Sequence, residues 1–118
     1  MHELSLALAL LESAEAAIPA GSRVKSVKVV VGALSGADPL ALARAWELVA
    51  RGTLLEEARL DIDEVSARLR CPNCHQDFQP ELIWRLVCPG CQTPSQQLLQ
   101  GRELRVDWLE VVDESPDC

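Results

Sequence analysis

Basic charge is scarce in this chain: 11 Lys and Arg stand against 18 Asp and Glu over 118 residues, a formal net charge of −7. A nucleic-acid binder needs a basic stripe to displace counterions from phosphate, so nucleic acid is set aside as a partner. Long apolar runs are missing as well, none approaching the ~20 residues that cross a bilayer. The sequence opens on His2 and Glu3 instead of a basic, signal-like segment, so a soluble, cytoplasmic protein with no membrane partner is expected. There are two histidines, and no His/Cys or Ser/His/Asp grouping can be assembled for hydrolytic or acyl-transfer chemistry. Gly32-x3-Gly36 lacks the lysine and the spacing of a phosphate loop. The chain therefore reads as a non-enzyme. Aromatic residues make up 3% of it, which leaves a core of Leu, Val, Ala and Ile with Trp46, Trp84 and Trp108 as the large fillers.

Cysteine is what the sequence does have. Cys71 and Cys74 form one Cys-x-x-Cys pair, Cys88 and Cys91 a second, with 13 residues between the pairs. This is close to the spacing of four-thiolate zinc sites. Pro72-Asn73 and Pro89-Gly90 are turn formers that let each pair aim two sulfurs at one point. Two disulfides are the bland alternative, disfavoured in a reduced compartment. Iron in a rubredoxin-like site uses the same ligands, although such knuckles favour glycine after the second cysteine, where this chain has His75 and Gln92. Four thiolates around Zn2+ would add −2 and take the net charge to about −9. A fifth cysteine, Cys118, ends an acidic tail and reads as an exposed thiol.

Along the chain, Leu4, Ala7, Leu8, Leu11, Ala14 and Ile18 recur at helical spacing, with Pro19-Ala20-Gly21 as the stop and Met1 to Glu3 as a short strand or lead-in. Val24 to Val31 reads as a buried strand. Asp38 is suited to cap a second helix whose first residue is Pro39, with Leu42, Ala43, Trp46, Val49 and Ala50 inward and Gly52 as its end. Leu60 and Ile62 alternate with Asp61 and Asp63 in a second strand. Gly101 opens a last one, with Leu104, Val106 and Trp108 on one side. The fold class is α+β: two helices on one face of a three-stranded sheet, with a small zinc-ribbon-like module inserted between the second and third strands. Residues 1–66 with 104–118 are the α/β domain, and residues 67–103 are the module. Its apolar content is Phe78, Leu82, Ile83, Trp84, Leu86 and Val87, so its fold should depend on metal.

A four-cysteine site is closed and explains folding without activity. The other metal-binding possibility is at the start of the chain. The α-amine of Met1 and the amide and imidazole of His2 can lie in one plane, a nitrogen set that suits Ni2+ or Cu2+, and Glu3 can complete the shell. On chemistry alone an incidental histidine is the simpler account of His2. His75, next to Cys74, reads as solvent-facing or supporting the metal knuckle.

Met1-His2-Glu3-Leu4-Ser5, a valine-rich strand ending in Val31-Gly32, the Asp38-Pro39 helix start, and the cysteine quartet followed by Gly101-x-Glu103-Leu104 together resemble the HypA/HybF nickel metallochaperones of hydrogenase maturation. The resemblance covers essentially the whole chain. It implies a nickel-binding α/β domain with a projecting zinc module. Nickel would be held by Met1, His2 and Glu3, with Asp38 as a further ligand, and zinc by Cys71, Cys74, Cys88 and Cys91. It also implies delivery of Ni2+ to the large subunit of a NiFe-hydrogenase together with the HypB GTPase, or to urease maturation proteins, and makes His75 a candidate pH sensor. The competing readings are a zinc-ribbon adaptor that binds another protein without nickel, and a rubredoxin-like iron electron carrier.

Overall fold

The computed structural model describes residues 2–113, so Met1 and Cys118 lie outside it. In chain order the elements are α1 (His2–Ala16), β1 (Ser22–Gly32), α2 (Pro39–Val49), β2 (Arg59–Val65), β3 (Arg68–Arg70), β4 (Asp77–Phe78), β5 (Gln97–Gln100) and β6 (Leu104–Asp113). They form two three-stranded sheets, β2-β1-β6 and β4-β3-β5. The larger sheet with its two helices is the expected α+β body, and the smaller belongs to the inserted cysteine segment.

The valine-rich β1 is the central strand of the body, parallel to β2 and antiparallel to β6. The parallel pairing follows from α2, which carries the chain across the sheet between β1 and β2. Val27, Val29 and Val31 point to the helix side, where they pack with Ala7, Leu10, Leu11 and Ala14 of α1 and Leu42, Ala45 and Trp46 of α2. As expected, α2 starts at Asp38, whose side chain accepts from the Leu40 N–H, with Pro39 at the first helical position. The helix ends at Val49, just before the left-handed Gly52 at φ +76°.

Four expectations need correction. Met1 to Glu3 are not a strand or lead-in over their described part, because α1 already begins at His2. Leu8 is exposed, and Leu10 takes its place: the buried stripe is Ala7, Leu10, Leu11 and Ala14. Trp108 is 44% exposed. Lys28 pairs with Trp108 and the next residue, Val29, with Val106, leaving Asp107 as the extra residue of a bulge. One extra residue reverses the alternation, so Leu109 packs on the core and Trp108 faces outward under Lys28 Nζ, 5.8 Å from the ring centroid. Trp84 is 75% exposed, on a turn closed by the Leu82–Arg85 bridge. Of the three tryptophans only Trp46 fills the core.

The cysteine segment carries its own small cluster, Leu69, Phe78, Cys71 and Cys88, with Leu86 and Leu98 against it. It joins the body through a close backbone junction. A Cβ on Gly32 would stand 2.1 Å from the Gly101 carbonyl oxygen, and one on Gly101 2.9 Å from Ala67 Cα. The Gly32 N–H donates to the Glu103 carbonyl (2.7 Å) and the Leu34 N–H to that of Gly101 (2.7 Å). The Glu103 carboxylate accepts from the Gly101 N–H at 2.8 Å, which accounts for Gly-x-Glu at this point in the sequence. The molecule is elongated, 62 × 32 × 17 Å with a radius of gyration of 18.1 Å, against about 13.5 Å for a compact chain of this length. Among the described residues no helix is long and apolar enough to cross a membrane.

Candidate functional site

The two cysteine pairs sit in loops built alike. In the first, the Cys71 N–H donates to the Gln76 carbonyl (2.9 Å) and the His75 N–H donates back to the Cys71 carbonyl (3.0 Å). In the second, Cys88 N–H to Thr93 carbonyl (2.9 Å) and Gln92 N–H to Cys88 carbonyl (2.8 Å) repeat the pattern. Each return bond requires the residue after the second cysteine to be left-handed, and His75 and Gln92 have φ of +61° and +64°. Glycine occupies that conformation without the steric penalty a Cβ carries, which is the physical reason it is favoured there. The loops are held together by Ser95, which is buried: its Oγ donates to the Arg70 carbonyl at 2.5 Å and accepts from the Gln97 N–H at 3.2 Å. A lone serine in a polar stretch gave no sequence signal of this role.

All four sulfurs converge, Cys71, Cys74, Cys88 and Cys91 lying within 4.8 Å of one another. Cys71 and Cys91 are 3.5 Å apart and Cys74 and Cys88 3.8 Å. Metal–sulfur bonds of about 2.3 Å at tetrahedral angles put sulfurs about 3.8 Å apart, whereas a disulfide needs about 2.05 Å. The donor set thus fits a tetrahedral thiolate metal, and the four cysteines are free. Without metal the sulfurs differ. Hydrogen bonds from the Thr93 hydroxyl, the Asn73 side chain and the Thr93 amide lower the Cys91 thiol to about 6. At Cys74 the Gln76 amide favours the thiolate, but hydrogen bonding with Cys71, desolvation and hydrogen bonding with Cys88 and Cys91 outweigh it and raise the thiol to about 11.

The polar groups expected at the start of the chain lie at the end of the body that joins the module, beside the loop that follows β1. His2 and Glu3 are in the first turn of α1, and the Glu3 carboxylate accepts from the Asp38 backbone N–H at 3.4 Å. The imidazole reaches the same loop, since a Cβ on Gly36 would be 4.0 Å from His2 Nε2. His2, Glu3 and Asp38, separated by up to 36 positions in the chain, thus meet where α1 and α2 begin. The Asp38 carboxylate itself is engaged as the cap of α2. Met1 is outside the described residues. His75 is exposed on its knuckle.

The family described as "Hydrogenase/urease nickel incorporation, metallochaperone, hypA" matches residues 1–111. The chain belongs to the HypA family. It is 42% identical over 109 residues to the hydrogenase maturation factor HypA of Streptomyces avermitilis, covering 90% of this chain and 83% of that one. To the HypA of a Synechococcus species it is 40% identical over 114 residues, covering 95% and 100%. Its fold matches the solution structure of the Ni metallochaperone HypA from Helicobacter pylori with a TM-score of 0.65 at 28% identity, over 95% of this chain and 98% of that one. The HypA assignment agrees with the α+β architecture and the four-cysteine metal site, and a metallochaperone carries metal instead of turning over a substrate.

Proposed function

We propose that this chain binds Ni2+ at its N-terminus, through the Met1 amine, the His2 amide and imidazole, and Glu3, and delivers it for insertion into a nickel enzyme. Membership of the HypA family, together with the meeting of His2, Glu3 and Asp38 at one loop, supports this reading. The amides of a helix's first residues have no intrahelical partner, so the His2 amide is free to release its proton to solvent and bind a metal through its nitrogen. The positive end of the helix opposes a cation, and the Glu3 carboxylate with the deprotonated amide offsets it. A rim site of this kind, with few anchored ligands, exchanges its ion readily. Because protons compete for the same nitrogens, binding weakens as pH falls.

In this account Asp38 adds its charge to the nickel shell while capping α2. The cysteine quartet holds structural Zn2+ and shapes a module of residues 67–103, inserted into a body of residues 1–66 and 104–118. The recipient is the large subunit of a NiFe-hydrogenase, reached together with a HypB-type GTPase in the cytoplasm; the same hand-over serves urease maturation where that enzyme is present. The test is a calorimetric titration of Ni2+ into the untagged chain, the His2→Ala variant and a chain extended by three residues before Met1. One nickel per untagged chain and none in the other two is expected, and stoichiometric binding retained by the extended chain would sink the proposal.

A further inference from the structure

A cleft of about 450 Å³ opens where the cysteine module leans over the start of α2. Its apolar walls are Val31, Ala37, Pro39 and Val65 of the body, faced by Ile83 of the module. Both ionisable residues that line it, Asp38 and Glu64, are acidic. Large apolar side chains stand exposed in the segments that line it: Ile83 itself at 56%, its sequence neighbours Leu82 and Trp84, and Leu40, which follows the lining Pro39 in the first turn of α2, at 61%. In a chain with so few aromatics, a Trp held on a protruding turn and three exposed aliphatics beside a cleft are uncovered apolar surface of the kind that anchors a partner.

The charge narrows the occupant. The cleft is lined by carboxylates and the chain carries −7 overall, so a second copy would set acidic against acidic surface. A basic segment is complementary, and the volume holds two or three side chains. We propose that the cleft between Ile83 and the start of α2 docks an extended segment of a partner protein in which one or two bulky apolar side chains are flanked by Lys or Arg. Trp84 and Leu40 cover its apolar residues, and Asp38 and Glu64 meet its cations. Docking requires no nickel. Because the Asp38 N–H is held by Glu3, a docked segment stands beside the N-terminal turn; that the docked partner is also the nickel recipient rests on the reading of His2 and Glu3 above.

The test uses the full, zinc-loaded, nickel-free chain, isotope-labelled and titrated with three capped hexapeptides: Lys-Lys-Leu-Phe-Lys-Lys, its Glu-flanked counterpart, and one with Ser-Ser in place of Leu-Phe. The basic apolar peptide should bind about tenfold tighter than either control, with amide shifts centred on Ala33, Glu64 and Ile83. Ile83→Ser and Glu64→Lys should each weaken it about fivefold or more with zinc content unchanged, while His2→Ala leaves it unaltered. Equal binding of the serine peptide, shifts centred elsewhere, insensitivity to Ile83→Ser, or no binding up to millimolar peptide would each overturn the proposal. A chain that takes no nickel yet binds the peptide leaves the docking surface standing and removes only the nickel reading.

Discussion

The α/β body and the cysteine module are built from different physical resources. The body buries a continuous aliphatic cluster from α1, β1 and α2 around Trp46, with Leu104, Val106 and Leu109 of β6 packed on it, whereas the module's buried set is Leu69, Phe78 and two cysteines. Leu86 and Leu98 are only partly buried against these, and Leu82, Ile83 and Trp84 are exposed. Hydrophobic burial at about 25 cal/mol per Å² can carry the first region and not the second. The module should therefore depend on a bound metal for folding and the body should not, so that the two come apart when the metal is removed.

Replacing Cys88 by Ser should break that partnership most severely. Apparent zinc-binding free energies of about 10–16 kcal/mol in small zinc modules are folding free energy. Hydrogen exchange should then lose protection at Leu69 and Leu98 while Val27 and Val29 keep theirs. Simultaneous loss at all four positions would mean that the regions are one cooperative unit. Next in size is Gly32→Ala, which drives a Cβ to 2.1 Å from the Gly101 oxygen. Overpacking of this sort costs about 1–3 kcal/mol, read as a lower urea midpoint for the body with zinc stoichiometry unchanged.

Asp38 tests whether one residue can serve both helix and cargo. Asp38→Ala should cost about 1 kcal/mol of stability through the lost cap, and Asp38→Asn only a few tenths. If the carboxylate also supports nickel, both variants weaken nickel binding, so calorimetry and thermal melting together separate the roles. The smallest effect is expected at the knuckles. His75→Gly and Gln92→Gly relieve left-handed residues at about 1–2 kcal/mol each but add unfolded-state freedom. The net gain is about 0.5–1 kcal/mol per site, seen as slower zinc loss to a chelator.

The difference between the regions also governs what the sequence made legible. Where local chemistry decides the outcome, reading succeeds: Asp38-Pro39 starts α2, alternating valines make β1, and the Cys-x-x-Cys spacing brings four sulfurs together. Where the outcome depends on a partner element, it does not. The Asp107 bulge that turns Trp108 outward is set by pairing with β1, and nothing in Leu104 to Leu109 alone announces it. Leu82, Ile83 and Trp84 look like core by composition and are held outward by a two-residue bridge. His2 and Glu3 were identifiable as ligand types, but their approach to Asp38 is made by the packing of α1 on α2. The Gly32–Gly101 contact likewise joins positions 69 apart, each an ordinary glycine on its own.

The central claim is that one chain holds two metals on different terms, zinc fixed by the cysteine quartet and nickel exchangeable at the N-terminal turn. It is tested most directly by metal content from mass spectrometry under non-denaturing conditions, for the untagged protein and its His2→Ala variant, before and after addition of Ni2+. One zinc in every sample, and one nickel only in the untagged parent after addition, is the predicted result. Nickel that replaces zinc, or that binds the His2→Ala variant as fully as the parent, would contradict it.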